Sequence, residues 1–245
     1  MNLGKLQECW NALGETDPLW AILADPAKKG GKWDWDDFFR TGECDIEKVL
    51  GRVAAQGIEI HHGKALDFGC GVGRLTQALG LHFEECVGVD IAPSMIRLAR
   101  EHNRRGARCR YELNAHPDLR LFADNTFDFV YSTLVLQHMR PDYAKCYISE
   151  FLRVLAPGGC VVFTLPSRLR AFWGPARRMA GRLYWLSQDM LAAVGIRIPP
   201  RFEMHGIPKP EVLKVIARGG GRLSAALADG SAGPPWISFC YFVTK

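Results

Sequence analysis

The chain has 245 residues, of which 48% are hydrophobic and 23% charged, an ordinary balance for a globular protein that buries a real core. Its formal net charge of +5 is mild and gives no strong nucleic-acid signal, although it leaves room for an acidic substrate. No stretch approaches the roughly 18 apolar residues of a membrane span, and residues 1–10 lack the apolar centre of a secretory signal, so a cytoplasmic protein is expected. The eight cysteines contain no Cys-x-x-Cys pair and read as reduced packing thiols. The seven histidines show no metal-ligand spacing, so no metal is expected.

Residues 1–55 read as an N-terminal helical cap, with Asp-Pro turns or helix starts at 17–18 and 25–26. Its tryptophans Trp10, Trp20, Trp33 and Trp35 read as cap core, with sugar stacking the alternative. The remaining residues, 56–245, read as one cofactor-binding domain. A strand over 64–68 runs into a glycine-rich turn, and Leu75, Ala78 and Leu79 carry helical spacing. Residues 86–90 form a second strand, and Pro93 suits the first turn of the helix after it. Further strands are expected at 109–113 and 127–131. Ile148, Phe151, Leu152 and Leu155 stand at i, i+3, i+4 and i+7, which predicts a helix over about 142–155, stopped by Pro157-Gly158-Gly159. A fifth strand covers 160–165. Residues 166–200 break the alternation and read as an inserted helical lid. A helix at 211–217 and strands at 222–227 and 236–243 complete the chain. Strands alternating with helices predict an α/β fold with a doubly wound, mostly parallel sheet.

The strongest motif is Asp67-Phe-Gly-Cys-Gly-Val-Gly73. Glycines directly after a strand let the backbone approach a ligand. The Gly-x-Gly-x-Gly spacing differs from the Gly-x-Gly-x-x-Gly of dinucleotide folds, and Asp67 would repel a pyrophosphate while suiting a cationic ligand that bears an ammonium and a sulfonium. Asp90 ends the next strand 23 residues later, placed to accept hydrogen bonds from a ribose diol.

These segments resemble the class I (Rossmann-like) S-adenosylmethionine-dependent methyltransferases. Residues 65–76 look like the family's first motif, and 87–96 like its second-strand motif. Residues 124–132 and 152–159 look like its fourth- and fifth-strand motifs. The resemblance covers about residues 60–165 and implies a seven-stranded sheet with S-adenosyl-L-methionine as cofactor. It would place Asp67, Gly69 and Gly71 along the methionine moiety, with Gly73 closing the loop, and Asp90 on the ribose. Ile91 would pack on adenine, Asn114 would stand beside the adenine amino group in place of the family's usual Asp, and Ser132 and Leu134 would lie near the methionine. Cys70 has no activating neighbour in sequence and reads as packing.

For the acceptor, His138 is the first candidate general base because it follows the fourth strand; its alternative is a loop-orienting role. His205 is the second candidate. In the segment 166–200, Met179, Leu183, Leu186, Met190 and Val194 form an apolar stripe accompanied by Arg168, Arg170, Arg177, Arg178 and Arg182. This reads as a lid helix, or alternatively as a surface for a membrane-bound or lipid-linked acceptor. The expected activity is methyl transfer to a small-molecule or glycan-like acceptor at oxygen. RNA, protein or lipid-linked acceptors are the alternatives within the class. A nicotinamide-dependent oxidoreductase and a catalytically silent cofactor-binding protein are the alternatives outside it. The sequence is silent on oligomeric state.

Overall fold

A computed structural model describes residues 2–171, Met179 and residues 203–245. Three helices lead the chain: α1 (Leu3–Thr16), α2 (Pro18–Ile22) and α3 (Trp35–Ala55). Side chains start two of them. The Asn2 carbonyl oxygen accepts from Lys5 N–H, and the Asp34 carboxylate accepts from the N–H groups of Asp36 and Asp37.

Strand β1 (Lys64–Phe68) then begins the alternating part. It is followed by α4 (Arg74–Leu79), β2 (Glu85–Asp90), α5 (Pro93–Glu101), β3 (Cys109–Leu113), β4 (Phe127–Ser132), α6 (Pro141–Val154) and β5 (Leu155–Leu169). Helix α7 (Lys209–Arg218) and strands β6 (Arg222–Asp229) and β7 (Trp236–Thr244) close the chain. Among the described residues the sheet has seven strands in the order β3-β2-β1-β4-β5-β7-β6. All pairs from β3 to β5 are parallel, while β7 runs antiparallel to both β5 and β6. This is the expected doubly wound fold.

The two faces separate by residue parity, as the pleat requires. Leu66, Val87, Val161, Phe163 and Tyr241 face α6 and α7. Ala65, Cys86, Phe129, Val162 and Phe242 face α3, α4 and α5. Within α6 the buried stripe Ala144, Tyr147, Ile148, Phe151 and Leu152 keeps the 3.6-residue period. None of the described helices is long and apolar enough to cross a membrane.

Two boundaries depart from the sequence reading. Helix α6 ends at Val154, and Leu155 already pairs with Phe127, so the sheet rather than Pro157-Gly158-Gly159 terminates it. Residues 166–169, expected to open the lid, belong instead to β5. Pro166, Arg168 and Leu169 pair with Ser238, Ile237 and Trp236 of β7, so Arg168 belongs to a strand. Proline removes one ladder donor at residue 166, and the register shift between Pro166 and Arg168 absorbs that loss. Arg170 follows the strand and donates to Pro234 O at 3.1 Å. The stripe from Leu183 to Val194, with Arg177, Arg178 and Arg182, lies outside the described residues.

Candidate active site

The sheet order reverses between β1 and β4, where the carboxyl ends of parallel strands leave a crevice. The glycine loop enters that crevice. Gly69 N and Cys70 N both donate to Val89 O, at 2.7 and 3.0 Å, tying the loop to β2. Gly69 and Gly71 have φ of +79° and +53°, a region that side chains disfavour. A Cβ on Gly71 would also stand 2.5 Å from Ile22 Cδ1, because the end of α2 lies over the loop.

Asp90 joins these parts. Its Oδ2 accepts from Gly71 N at 2.9 Å and its Oδ1 from Ala92 N at 2.8 Å. The Ile91 N–H also acts on this carboxylate, which still keeps acceptor capacity. Burial raises the carboxyl's pKa, and the backbone donors oppose that rise. Asn114, beside it, accepts from His116 N through Oδ1 and donates from Nδ2 to Asp118 O, which leaves part of its amide unused.

Leu134 follows β4 with φ +62°, and its N–H donates to Thr164 Oγ1 at 3.1 Å. A single 3₁₀ turn, Leu136–His138, comes next. The His138 ring meets the Trp10 indole edge-on, with centroids 5.5 Å apart. His138 Nδ1 donates toward Glu203 O at 3.4 Å, and Gln137 Nε2 donates to His138 Nε2 at 3.3 Å. These partners assign the neutral tautomer with the proton on Nδ1. Burial lowers the pKa of the imidazole below its ordinary value.

One cavity of about 1480 Å³ joins these groups. Gly69, Gly71, Asp90, Ile91, Asn114, Leu134, His138, Met139 and Met204 all line it, with Asp90 and Asn114 at the ends of β2 and β3 and His138 beyond β4. Helices α1 and α2 supply Leu6, Trp10, Leu13 and Ile22. Helix α1 is fastened there by hydrogen bonds. Gln7 Nε2 donates to Ile91 O, Ser94 N to Asn11 Oδ1, and Ser94 Oγ to Asn11 O, each at 2.9 Å. Gly14, one turn on, permits this approach, since a Cβ there would come within 2.1 Å of Ser94 Oγ.

Four residues expected at the site stand off the cavity wall. Asp67 is buried beneath the loop and accepts from Thr76 Oγ1 at 2.6 Å, and burial pushes its pKa up to about 6. Gly73 turns toward Tyr111, whose hydroxyl would lie 2.5 Å from an added Cβ. Ser132 is spent on Phe68 O at 3.0 Å, bridging the ends of β4 and β1. His205 holds Gln137 O through its N–H at 2.7 Å and turns its ring to the Glu203 carboxylate at 3.1 Å, so it braces the His138 turn from behind. The thiol of Cys70 is on the wall, but burial raises its pKa well above the ordinary thiol value, and an unionised thiol is a poor nucleophile.

Sequence reasoning missed Trp10, Ile22 and Met204 as wall residues. A signal existed for the first, because Leu6, Trp10 and Leu13 repeat at i, i+4 and i+7 along α1. Nothing local to Met204 marks it.

Comparison with known proteins places these observations. Residues 66–163 match the family model described as Methyltransferase domain. A ubiquinone biosynthesis O-methyltransferase of Methylococcus capsulatus is 32% identical over 146 residues, covering 57% of this chain and 59% of that protein. Phosphoethanolamine N-methyltransferase 3 of Arabidopsis thaliana is 35% identical over 175 residues, covering 64% of this chain and 34% of that protein. The chain therefore spans about three fifths or less of these relatives. The magnesium protoporphyrin IX methyltransferase of Synechocystis, solved with bound S-adenosylhomocysteine, superposes with a TM-score of 0.63 at 16% identity over 98% of both chains, a likeness of fold. The matched span opens inside β1 and closes inside β5, enclosing the whole glycine loop, and over residues 66–163 the chain is similar to the methyltransferase domains which that family model describes.

Proposed function

We propose that this protein transfers a methyl group from S-adenosylmethionine to an oxygen of a small, mainly apolar acceptor, with His138 as general base. The observation that carries the reading is the continuity of the cavity. Asp90 and Asn114 at the ends of β2 and β3 and His138 beyond β4 line one continuous, partly open cavity beneath α1 and α2. Its volume of about 1480 Å³ exceeds the usual range of roughly 300–1,000 Å³ for a single drug-sized ligand, so two reactants fit together.

The residues present suit the cofactor. Asp90 keeps acceptor capacity for a ribose diol beyond its bonds to the backbone, and Asn114 keeps amide capacity for a base edge. Bound there, S-adenosylmethionine would supply an electrophilic methyl on a sulfonium. The protein's part is alignment, exclusion of water and removal of the acceptor's proton. His138 suits the last task. Its Nδ1–H is directed to Glu203 O, its lowered pKa keeps it unprotonated at neutral pH, and its Nε2 would take the acceptor's proton once the acceptor displaces the 3.3 Å hydrogen bond from Gln137 Nε2. Apolar walls at Leu6, Trp10, Met139 and Met204 favour an acceptor with an apolar body over a glycan.

The test has two parts. Calorimetry should show binding of S-adenosylhomocysteine and none of a nicotinamide dinucleotide; the reverse would overturn the reading. Labelled S-adenosylmethionine should then methylate members of a panel of apolar hydroxylated acceptors. His138→Ala should retain cofactor affinity and lose about 10²–10⁴-fold in turnover. Wild-type turnover should fall with acidification along a limb whose apparent pKa lies below 6.5, and the variant should lack that limb. Near-normal turnover of the variant would return His138 to a loop-orienting role, and cofactor binding without turnover on any acceptor would favour a silent binding protein.

A further inference from the structure

The cap loop at the mouth of the cavity distributes its charges unevenly. Its acids are spent on backbone donors. Asp17 Oδ2 takes Gly30 N at 2.7 Å and Gly31 N at 3.2 Å, Asp25 Oδ1 takes Ala27 N at 2.9 Å, and Asp34 Oδ1 takes Asp36 N and Asp37 N. Two of the loop's three lysines, Lys28 and Lys29, lie on indole faces. Lys28 Nζ is 5.2 Å from the Trp33 ring centroid and Lys29 Nζ is 4.9 Å from that of Trp20. The Trp20 ring is itself fixed, since its Nε1 donates to Asp25 O at 3.0 Å.

Of these lysines, only Lys29 lines the cavity, and it is exposed, so it stands at the mouth. It makes no ion pair among the described residues. The other charged groups of the wall are committed. Arg74 pairs with Asp45 at 2.7 Å, Glu15 with Arg97 at 3.5 Å, and Asp90 holds Gly71 and Ala92. A positioned cation without a counter-ion, over an aromatic floor, therefore opens onto a mostly apolar chamber.

We propose that Lys29 and Trp20 form an anion subsite that takes the carboxylate, sulfonate or phosphate end of an acceptor whose body fills the apolar chamber. The proposal rests on the cavity being the methyl-transfer chamber, and it adds to that reading the class of acceptor: an amphiphile with an apolar body and one anionic group. The ammonium attracts the anionic end and the indole packs against the adjoining apolar stem. The transferable position then lies deeper, toward His138.

Two fluorescent probes test this, 8-anilinonaphthalene-1-sulfonate and N-phenyl-1-naphthylamine, which share an aromatic body and differ in the sulfonate. They are titrated into the full chain with S-adenosylhomocysteine saturating, so that the cofactor end is closed to them. Lys29→Gln should weaken the sulfonate probe about three- to fivefold, as expected for an exposed ion pair, and Lys29→Arg should retain its binding. The neutral probe should bind all three proteins alike, and the sulfonate preference should decline with added salt. Equal binding of the sulfonate probe to wild type and Lys29→Gln would overturn the proposal. So would equal loss of both probes, or binding of neither. A fall in S-adenosylhomocysteine affinity on Lys29→Gln would also overturn it, because the anion read would then be the cofactor's own carboxylate. A wild-type chain that fails to bind S-adenosylhomocysteine at all would sink the methyltransferase reading instead, and the comparison of the two probes would remain readable.

Discussion

The Asp90 end and the His138 end of the cavity are built by different means. At the Asp90 end the parts lie within residues 67–114, and backbone groups do most of the holding: Gly69 N and Cys70 N on Val89 O, and Gly71 N and Ala92 N on one carboxylate. The chain folds this end largely by pairing neighbouring strands. At the His138 end the groups come from α1, from the turn after β4 and from residues 203–205, which ring packing and hydrogen bonds bring together across long sequence separations. The first end is a backbone cradle whose shape tolerates few side chains. The second is a wall of packed side chains, Trp10, His138 and Met204 among them.

The sharpest way to break this contrast is Gly71→Val. A branched side chain at φ +53°, pressed on Ile22, should abolish S-adenosylhomocysteine binding by calorimetry while circular dichroism still reports a folded sheet. Retained binding would show that the loop does not shape the cofactor end. A smaller effect is expected of Asp90→Ala, which removes a charged hydrogen-bond acceptor from the ribose position. Affinity should weaken by about 1.5–3 kcal/mol, and unchanged affinity would remove Asp90 from that role.

Asp67→Asn should affect affinity least and pH dependence most. The folded-state pKa of Asp67, about 6, lies above its ordinary 3.8, so the native protein holds a proton that the unfolded chain has released in that window. This contribution to stability is present below 3.8 and is lost as pH rises through 6, a difference of roughly 3 kcal/mol. Asparagine carries no such penalty and keeps an oxygen for Thr76. The variant should be more stable than wild type at pH 7.5 by roughly 1–3 kcal/mol in urea unfolding, with S-adenosylhomocysteine affinity within about twofold. A tenfold loss of affinity would return Asp67 to the cofactor.

The same contrast explains what the sequence discloses. The cradle is legible because its requirements are local. Glycine is needed where φ turns positive, and a carboxylate is needed at a strand end, so Gly69, Gly71 and Asp90 announce themselves. Asp67 stands off the cavity wall because the pleat turns it under the loop, onto Thr76, and sequence gives its position on β1 but not which side of the sheet it faces. The wall is less legible because its members share no period or spacing with one another. His138 could be found from its place after β4, but Trp10 and Met204 reach it only through tertiary packing. The end of β5 was missed for a related reason: whether Pro166 and Arg168 continue a strand depends on β7, some 70 residues later.

Leu134 bears a further consequence. It holds a left-handed backbone conformation that a β-carbon disfavours by on the order of 1 kcal/mol, in a chain where glycine would adopt it freely. The hydrogen bond from its N–H to Thr164 and its place on the cavity wall keep it there. Thermal robustness and site shape therefore pull in opposite directions at this residue. A library screened for heat resistance alone would drift toward glycine at 134, and with it would lose the leucine side chain from the crevice. Stabilised versions of this protein are best sought elsewhere, on the solvent faces of α3 and α7, where no such conflict is built into the backbone.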